Sequence, residues 1–193
     1  RYGVKVYLTC NTLIYDEEVE EFLKFVRFAH QNGIDAVLIQ DLGMYDLVHQ
    51  KFPDLEIHAS TQMHIHNLEG ALVAKKLGFK RIVLARETDI DTIKEIKEQT
   101  GLDVEVFVHG SLCVSYSGQC LFSSLVGGRS GNRGACAGSC RLPYDIVDKN
   151  NEVLNDTKKY PLSMKDLCAI ASIGKLMDIG VNSFKIEGRM KSK

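Results

Sequence analysis

Residues 33–60 read GIDAVLIQDLGMYDLVHQKFPDLEIHAS, and the order of residue types in this stretch decides the fold. Asp35–Gln40 is a continuous apolar run, which suits a strand covered on both faces and therefore a parallel sheet. A helix follows from about Met44 to Phe52 and is broken by Pro53. Glu56–Ala59 is short and reads as the next strand. Strand, helix and strand joined by short links make one βα unit.

Working outward, the same unit recurs. Upstream, Val4–Thr9 alternates as a strand and runs into the polar Cys10-Asn11-Thr12. Asp16 is expected to cap a helix carrying Val19, Phe22, Leu23, Val26 and Ala29, which Gly33 stops. Downstream, Asn67 caps a helix that ends at Gly78, and Arg81–Ala85 is a strand. The helix after Asp89 carries Ile90, Ile93 and Ile96 to Gly101, and Asp103–Val108 is the fifth strand. Strand starts at 35, 56, 81 and 103 are 21 to 25 residues apart, a βα period. After Gly110 the period breaks. A hairpin is expected from Tyr144–Asp148 and Glu152–Leu154, then a helix from Asp166 to Ile179 and a strand over Ser183–Glu187. The division is 1–109 for the barrel units, 110–160 for a cysteine-rich insertion, and 161–193 for the last helix and strand.

The 193 residues suffice for one core, and 45% hydrophobic with 25% charged residues is ordinary for a globular chain. No apolar run reaches the ~18 residues of a membrane helix. The chain opens at Arg1-Tyr2-Gly3 without Met, almost inside a strand, and is read as a piece of a longer protein. Net charge is −1, yet residues 126–193 hold 12 basic against 7 acidic side chains. That bias suits either an anionic partner or a solvated face.

Six cysteines stand at 10, 113, 120, 136, 140 and 168. A chain with this much α/β core is no disulfide scaffold, so a reduced, cytoplasmic setting and metal binding are favoured. The gaps of 7, 16, 4 and 28 contain no C-x-x-C, which zinc knuckles and thioredoxin-type sites use. A [4Fe–4S] cube tolerates wider spacing; zinc and structural thiols remain open. Polar residues collect at strand ends: Asn11, Gln40-Asp41, His58 to Gln62, Arg86-Glu87, His109 and Lys185 to Arg189. Barrel strand ends converge on one pocket, so these side chains are expected to share it. Arg129 to Gly134 has arginine forks within a glycine loop, suited to phosphate or RNA as well as to a plain turn. There is no H-E-x-x-H and no G-x-S-x-G.

HGSLC at 109–113 and YSGQCLFSS at 116–124 resemble the signature of the collagenase-like U-32 peptidase family. So do HASTQMHIHN, VLARE, GGRSGNRGACAGSCRLPY, PLSMKDLC and SFKIEGRMKS, and the likeness covers essentially the whole chain. The resemblance implies a (β/α)8 TIM-barrel-like fold, here a fragment lacking the first two strands, with the cysteine-rich insertion before the last barrel strand. It further implies an oxygen-independent hydroxylase of an RNA base (tRNA or rRNA), with collagenase-like proteolysis as the reading in the family name. A ubiquinone-precursor hydroxylase subunit and a non-catalytic RNA-binding module are further alternatives. The implied cofactor is a [4Fe–4S] cluster on Cys113, Cys120, Cys136 and Cys168, with Cys140 an alternative to Cys136. Prephenate is implied as co-substrate, a small dicarboxylate donor that Arg86 and Arg189 suit, and a partner subunit is possible within the family. His58, Glu87, His109 and Glu187 are the candidates for proton transfer; Arg86, Arg129, Arg133, Lys185 and Arg189 are the candidates for binding substrate.

Overall fold

The computed structural model describes residues 2–155 and 157–187. Strands β1 (Tyr7–Cys10), β2 (Ala36–Ile39), β3 (Glu56–Ala59), β4 (Arg81–Val83) and β5 (Asp103–Gly110) lie side by side in chain order, all parallel. The last strand, β7 (Ser183–Glu187), pairs in parallel with β5. Six parallel strands thus make an open, curled part of a (β/α) barrel. Helices α1 (Val19–Gln31), α2 (Leu42–Lys51), α3 (Leu68–Leu77) and α4 (Ile90–Thr100) alternate with them. The links are set locally: Asp41, Asn67 and Asp89 each accept an N–H from the first turn of the helix that follows, at 2.9 Å.

Strand side chains alternate between two environments. Val37, Ile39, Ile57, Ile82, Leu84, Val104 and Val106 pack in one cluster with Val26, Val48, Ala71, Ile93 and Ile96 of the helices. That is the hydrophobic core, and burying its larger side chains is worth roughly 1.5–3 kcal/mol each. The opposite face carries His58, Glu105 and Lys185. No helix among the described residues is long and apolar enough to cross a membrane.

The structure departs from the sequence expectations in four places. The first strand begins at Tyr7 rather than Val4 because the Val6 N–H is held by the Asp35 carboxylate (2.7 Å) and not by a ladder. Asp16 does not cap α1; it starts a single 3-10 turn, and Glu18 takes the Tyr15 N–H at 2.9 Å. The hairpin is reduced to one bridge, Val147 to Val153, with both side chains exposed and no core beneath them. The helix expected over 166–179 forms only as α6 (Ile173–Ile179). Its first half is the two-residue strand β6 (Leu167–Cys168), antiparallel to the end of β5, because β5 outruns β4 and leaves backbone groups to be paired. The Ala169 N–H reaches the Val108 carbonyl at 2.8 Å.

Between β5 and β6 the described residues of the cysteine-rich segment hold one short helix, α5 (Phe122–Gly127), two single 3-10 turns and the Val147–Val153 bridge. It is pinned to the barrel by Gly118, whose φ is +74° and where a Cβ would come within 2.1 Å of the Gln62 carbonyl oxygen. Gly118→Ala is therefore expected to cost about 3 kcal/mol or more, from left-handed strain plus overpacking. Gly101→Ala, with a φ of +65° and no neighbour within 4 Å, should cost only ~1–2 kcal/mol. Denaturant titration of the two variants checks the difference; equal losses would show that the close approach does not matter.

Candidate functional site

The inner face of the sheet buries charge. Glu105 is 6% exposed, yet it accepts from Ser183 Oγ (2.9 Å) and Lys185 Nζ (2.9 Å), with Arg81 Nη1 at 3.7 Å. A carboxylate taken from water needs such partners, and losing one would leave the charge unmatched. His58 is 1% exposed in the same layer, edge-on to the Tyr7 ring at 5.0 Å and 3.5 Å from Glu56. Burial, reinforced by the Arg81 charge, holds His58 below the ordinary histidine range. His58 is an interior residue whose Nδ1 has no partner, and it does not line the cavity above it.

That cavity, about 310 Å³, opens at the C-terminal ends of the strands. Thr9, Asn11, Ser60, Thr61 and Gln62 form one wall; Arg86, Phe107, Lys185 and Glu187 form the other. Arg86 dominates it. Its guanidinium lies 4.0 Å above the Phe107 ring, its Nη2 donates to Glu187 at 2.5 Å, and its buried Nε has no partner. Adjacent Glu87 turns the other way and holds the cysteine-rich segment. It accepts from the Ser117 N–H and from Ser117 Oγ, both at 2.9 Å, and His64 Nδ1 lies at 3.3 Å. Burial pushes the Glu87 carboxyl up, but the Ser117 hydrogen bonds outweigh it and the group sits below its usual range.

A second cavity, about 130 Å³, is lined by Cys113, Cys120, Cys136 and Cys140 together with Gln62 and Arg86. All six cysteines are free thiols. Burial raises the Cys113 thiol above its ordinary value, and the nearby Cys120 and Cys140 add to that. Such a donor set is all sulfur, which suits soft centres such as iron–sulfur clusters or zinc. Among the described residues no three Cys, His, Asp or Glu side chains gather closely enough to hold a single ion. Cys168, at β6, does not line this cavity, whereas Cys140 does. Buried Cys10 stands apart, its thiol pushed up to about 11 by desolvation.

The other expected site residues scatter. His109 is exposed at the end of β5 and lines neither cavity. Arg129 uses its Nε on the Ala135 carbonyl. Arg133 makes a two-pronged pair with Glu18 at 2.6 Å on each prong and lies 4.0 Å over the Tyr15 ring, so its fork ties the insertion to α1 rather than waiting for substrate. Arg189 lies outside the described residues. Glu105, Phe107 and Ser117 were missed by the sequence reading. The alternation of Asp103, Glu105, Phe107 and His109 against Val104, Val106 and Val108 was the available signal, because it puts an acid on the inner face.

These features define an open (β/α)-barrel protein with a thiol-lined cavity beside a polar mouth. The chain belongs to peptidase family U32, whose family model matches residues 1–193. It is 46% identical over 191 residues to an Escherichia coli 23S rRNA 5-hydroxycytidine synthase, covering 99% of this chain and 29% of that protein. It is 35% identical over 197 residues to a tRNA hydroxylation protein of Bacillus subtilis, covering 100% of this chain and 47% of the relative. A Porphyromonas gingivalis protein named collagenase is 37% identical over 201 residues, covering 98% of this chain and 48% of that one. The chain therefore spans less than half the length of these curated relatives. A solved U32 peptidase shares the fold at a TM-score of 0.58 and 12% identity, over 98% of this chain and 72% of that one.

The Glu18–Arg133 pair gives a pH test. The Arg133 hydrogen bonds, with that from the Tyr15 N–H, lower the Glu18 carboxyl from 4.5 to about 2. A lowered folded-state value means the pair stabilises fully above the unfolded value of 4.5 and loses its contribution as pH falls toward about 2. The gap in urea midpoint between the parent and Glu18→Gln should be constant near neutrality and close across that acid window. A gap independent of pH would refute the pairing.

Proposed function

We propose that this chain is the barrel and cysteine-rich part of an oxygen-independent hydroxylase of an RNA base, with a [4Fe–4S] cluster as cofactor. One observation carries the reading: the cavity lined by four thiols and the polar barrel mouth share Gln62 and Arg86 as walls. The names of the rRNA and tRNA relatives support RNA as the substrate class. An RNA substrate in turn fits a cytoplasmic protein.

Cys113, Cys120 and Cys136 line the thiol cavity and would hold the cluster. Cys168 is the fourth ligand that the family resemblance assigns, with Cys140 the alternative to Cys136; because Cys140 lines the cavity and Cys168 does not, Cys140 competes with Cys168 as well. When bound, the cluster supplies electron-transfer chemistry that the side chains lack. The chain's own residues position the rest. Arg86 and Lys185 place two cations at the mouth, suited to a small dicarboxylate oxygen donor such as prephenate. Glu187, 29% exposed and paired with Arg86, is the carboxylate placed to exchange protons there. Glu105 holds Lys185 in place from below.

The family name and the collagenase relative favour proteolysis, but the hydroxyls do not. A serine peptidase needs a hydroxyl partnered by a base with ordinary proton affinity. Ser117 is 3% exposed and donates to Glu87, whose carboxyl is held low, while accepting the Arg86 N–H at 3.1 Å. Ser123 accepts from the Ala137 N–H, and Ser124 donates to the Leu121 carbonyl. These hydroxyls are occupied in holding the loop.

Anaerobically purified full-length protein should absorb near ~400 nm and carry about four irons. Cys113→Ala, Cys120→Ala, Cys136→Ala and Cys168→Ala should each lose that iron, whereas Cys10→Ala keeps it. Iron lost in Cys140→Ala and retained in Cys168→Ala would transfer the fourth ligand to Cys140. Stoichiometric zinc without labile sulfide would end the cluster reading.

RNA from cells lacking the protein should contain a base short of one hydroxyl by mass spectrometry, and the cluster-loaded protein should leave denatured collagen uncut. Peptide cleavage that survives iron removal and disappears with one serine or histidine would restore the peptidase.

A further inference from the structure

A third cavity lies against the cysteine-rich loop. It measures about 690 Å³, within the ~300–1,000 Å³ of small-molecule sites. Leu112, Val114, Tyr116 and Met164 give it apolar walls, and it shares Arg86, Cys113, Tyr116 and Ser117 with the thiol cavity, so the Tyr116 ring stands between the two. Tyr116 is 67% exposed, so its ring is accessible to a ligand.

The backbone beneath that ring is fixed. Ser117 is bound through both its N–H and its hydroxyl to Glu87, and its Oγ also takes the Arg86 N–H. Gln119 N–H closes a turn onto the Tyr116 carbonyl at 3.1 Å, and Gly118 packs directly against Gln62. The His64 ring stands edge-on to Tyr116 at 5.8 Å. A ring presented from a pinned loop loses little freedom when a flat ligand covers it.

We propose that this groove receives one unstacked RNA base, with Tyr116 as the stacking platform that presents the base beside the thiol cavity. The inference rests on the RNA reading above and deepens it. Chemistry on a base requires the base to leave its stack, and single-stranded RNA is recognised by stacking on aromatic side chains. The apolar walls suit the faces of a base, and Arg86 and Glu87 add polar side chains to the lining. A peptide would instead call for a row of backbone groups such as a sheet edge provides. Residues 112–117 are loop, not strand. Tyr116 is a binding residue here, and nothing in the proposal requires it to exchange protons.

The test uses full-length, cluster-loaded protein and a short single-stranded RNA carrying the fluorescent base 2-aminopurine. The expected result is quenching on binding, with affinity reduced on the order of tenfold in Tyr116→Ala. Tyr116→Phe, which keeps the ring, should bind like the parent, and iron content should be the same in all three. Tyr116→Leu repeats the measurement with the loop still filled, so that loss of packing and loss of stacking separate. If Tyr116→Ala and Tyr116→Leu bind and quench like the parent, the platform is refuted while the RNA reading stands. If the parent binds no RNA, or binds denatured collagen in a Tyr116-dependent way, both fall.

Discussion

The buried carboxylate of Glu105 is the constraint around which the inner face of the barrel is arranged. Parallel strands bury both faces, so an acid on the inner side must find its counter-charges within the protein. Arg81 and Lys185 supply them from the strands on either side, and Ser183 adds a neutral hydroxyl donor. The pairing of β7 with β5 aligns Glu105 with Ser183 and Phe107 with Lys185, so the last strand brings its polar side chains to the layer that needs them. Because Lys185 also lines the mouth, the same charge balance that closes the barrel floor sets a cation where a ligand would enter.

Above that layer, two consecutive residues divide the work. Arg86 points into the mouth, stacked on Phe107 and paired with Glu187; Glu87 points away and fastens the cysteine-rich loop through Ser117. The loop therefore cannot drift without disturbing the mouth, and its cysteines stay next to Arg86. Arg133 provides a second tie, on Glu18 at the start of α1. Both ties are charge-assisted hydrogen bonds, stronger than neutral ones. They fix a segment with little core of its own.

This division also orders the functional readings. Arg133, which looked free in sequence, is committed to Glu18 away from the cavity, while Arg86, Lys185 and Glu187, although paired, line it. Ser117, Ser123 and Ser124 of the signature are engaged with Glu87 and with backbone groups of the loop. The thiols are what distinguish this site from an ordinary barrel mouth.

The βα repeat was legible because periodicity and capping act locally. Asp41, Asn67 and Asp89 cap their helices whatever lies across the sheet, and alternating apolar residues face the helices in any parallel sheet. The family signature likewise marked Cys113, Cys120 and Cys136, which line the second cavity together with Cys140. Sequence alone could not show that Leu167-Cys168 would leave a helical pattern to pair with β5, since only the unequal lengths of β4 and β5 create that vacant edge. Nor could it say which charged strand-end residues remain available. Partnership is decided by distances between segments as far apart as Arg86 and Glu187 or Glu18 and Arg133, and only the folded chain sets those.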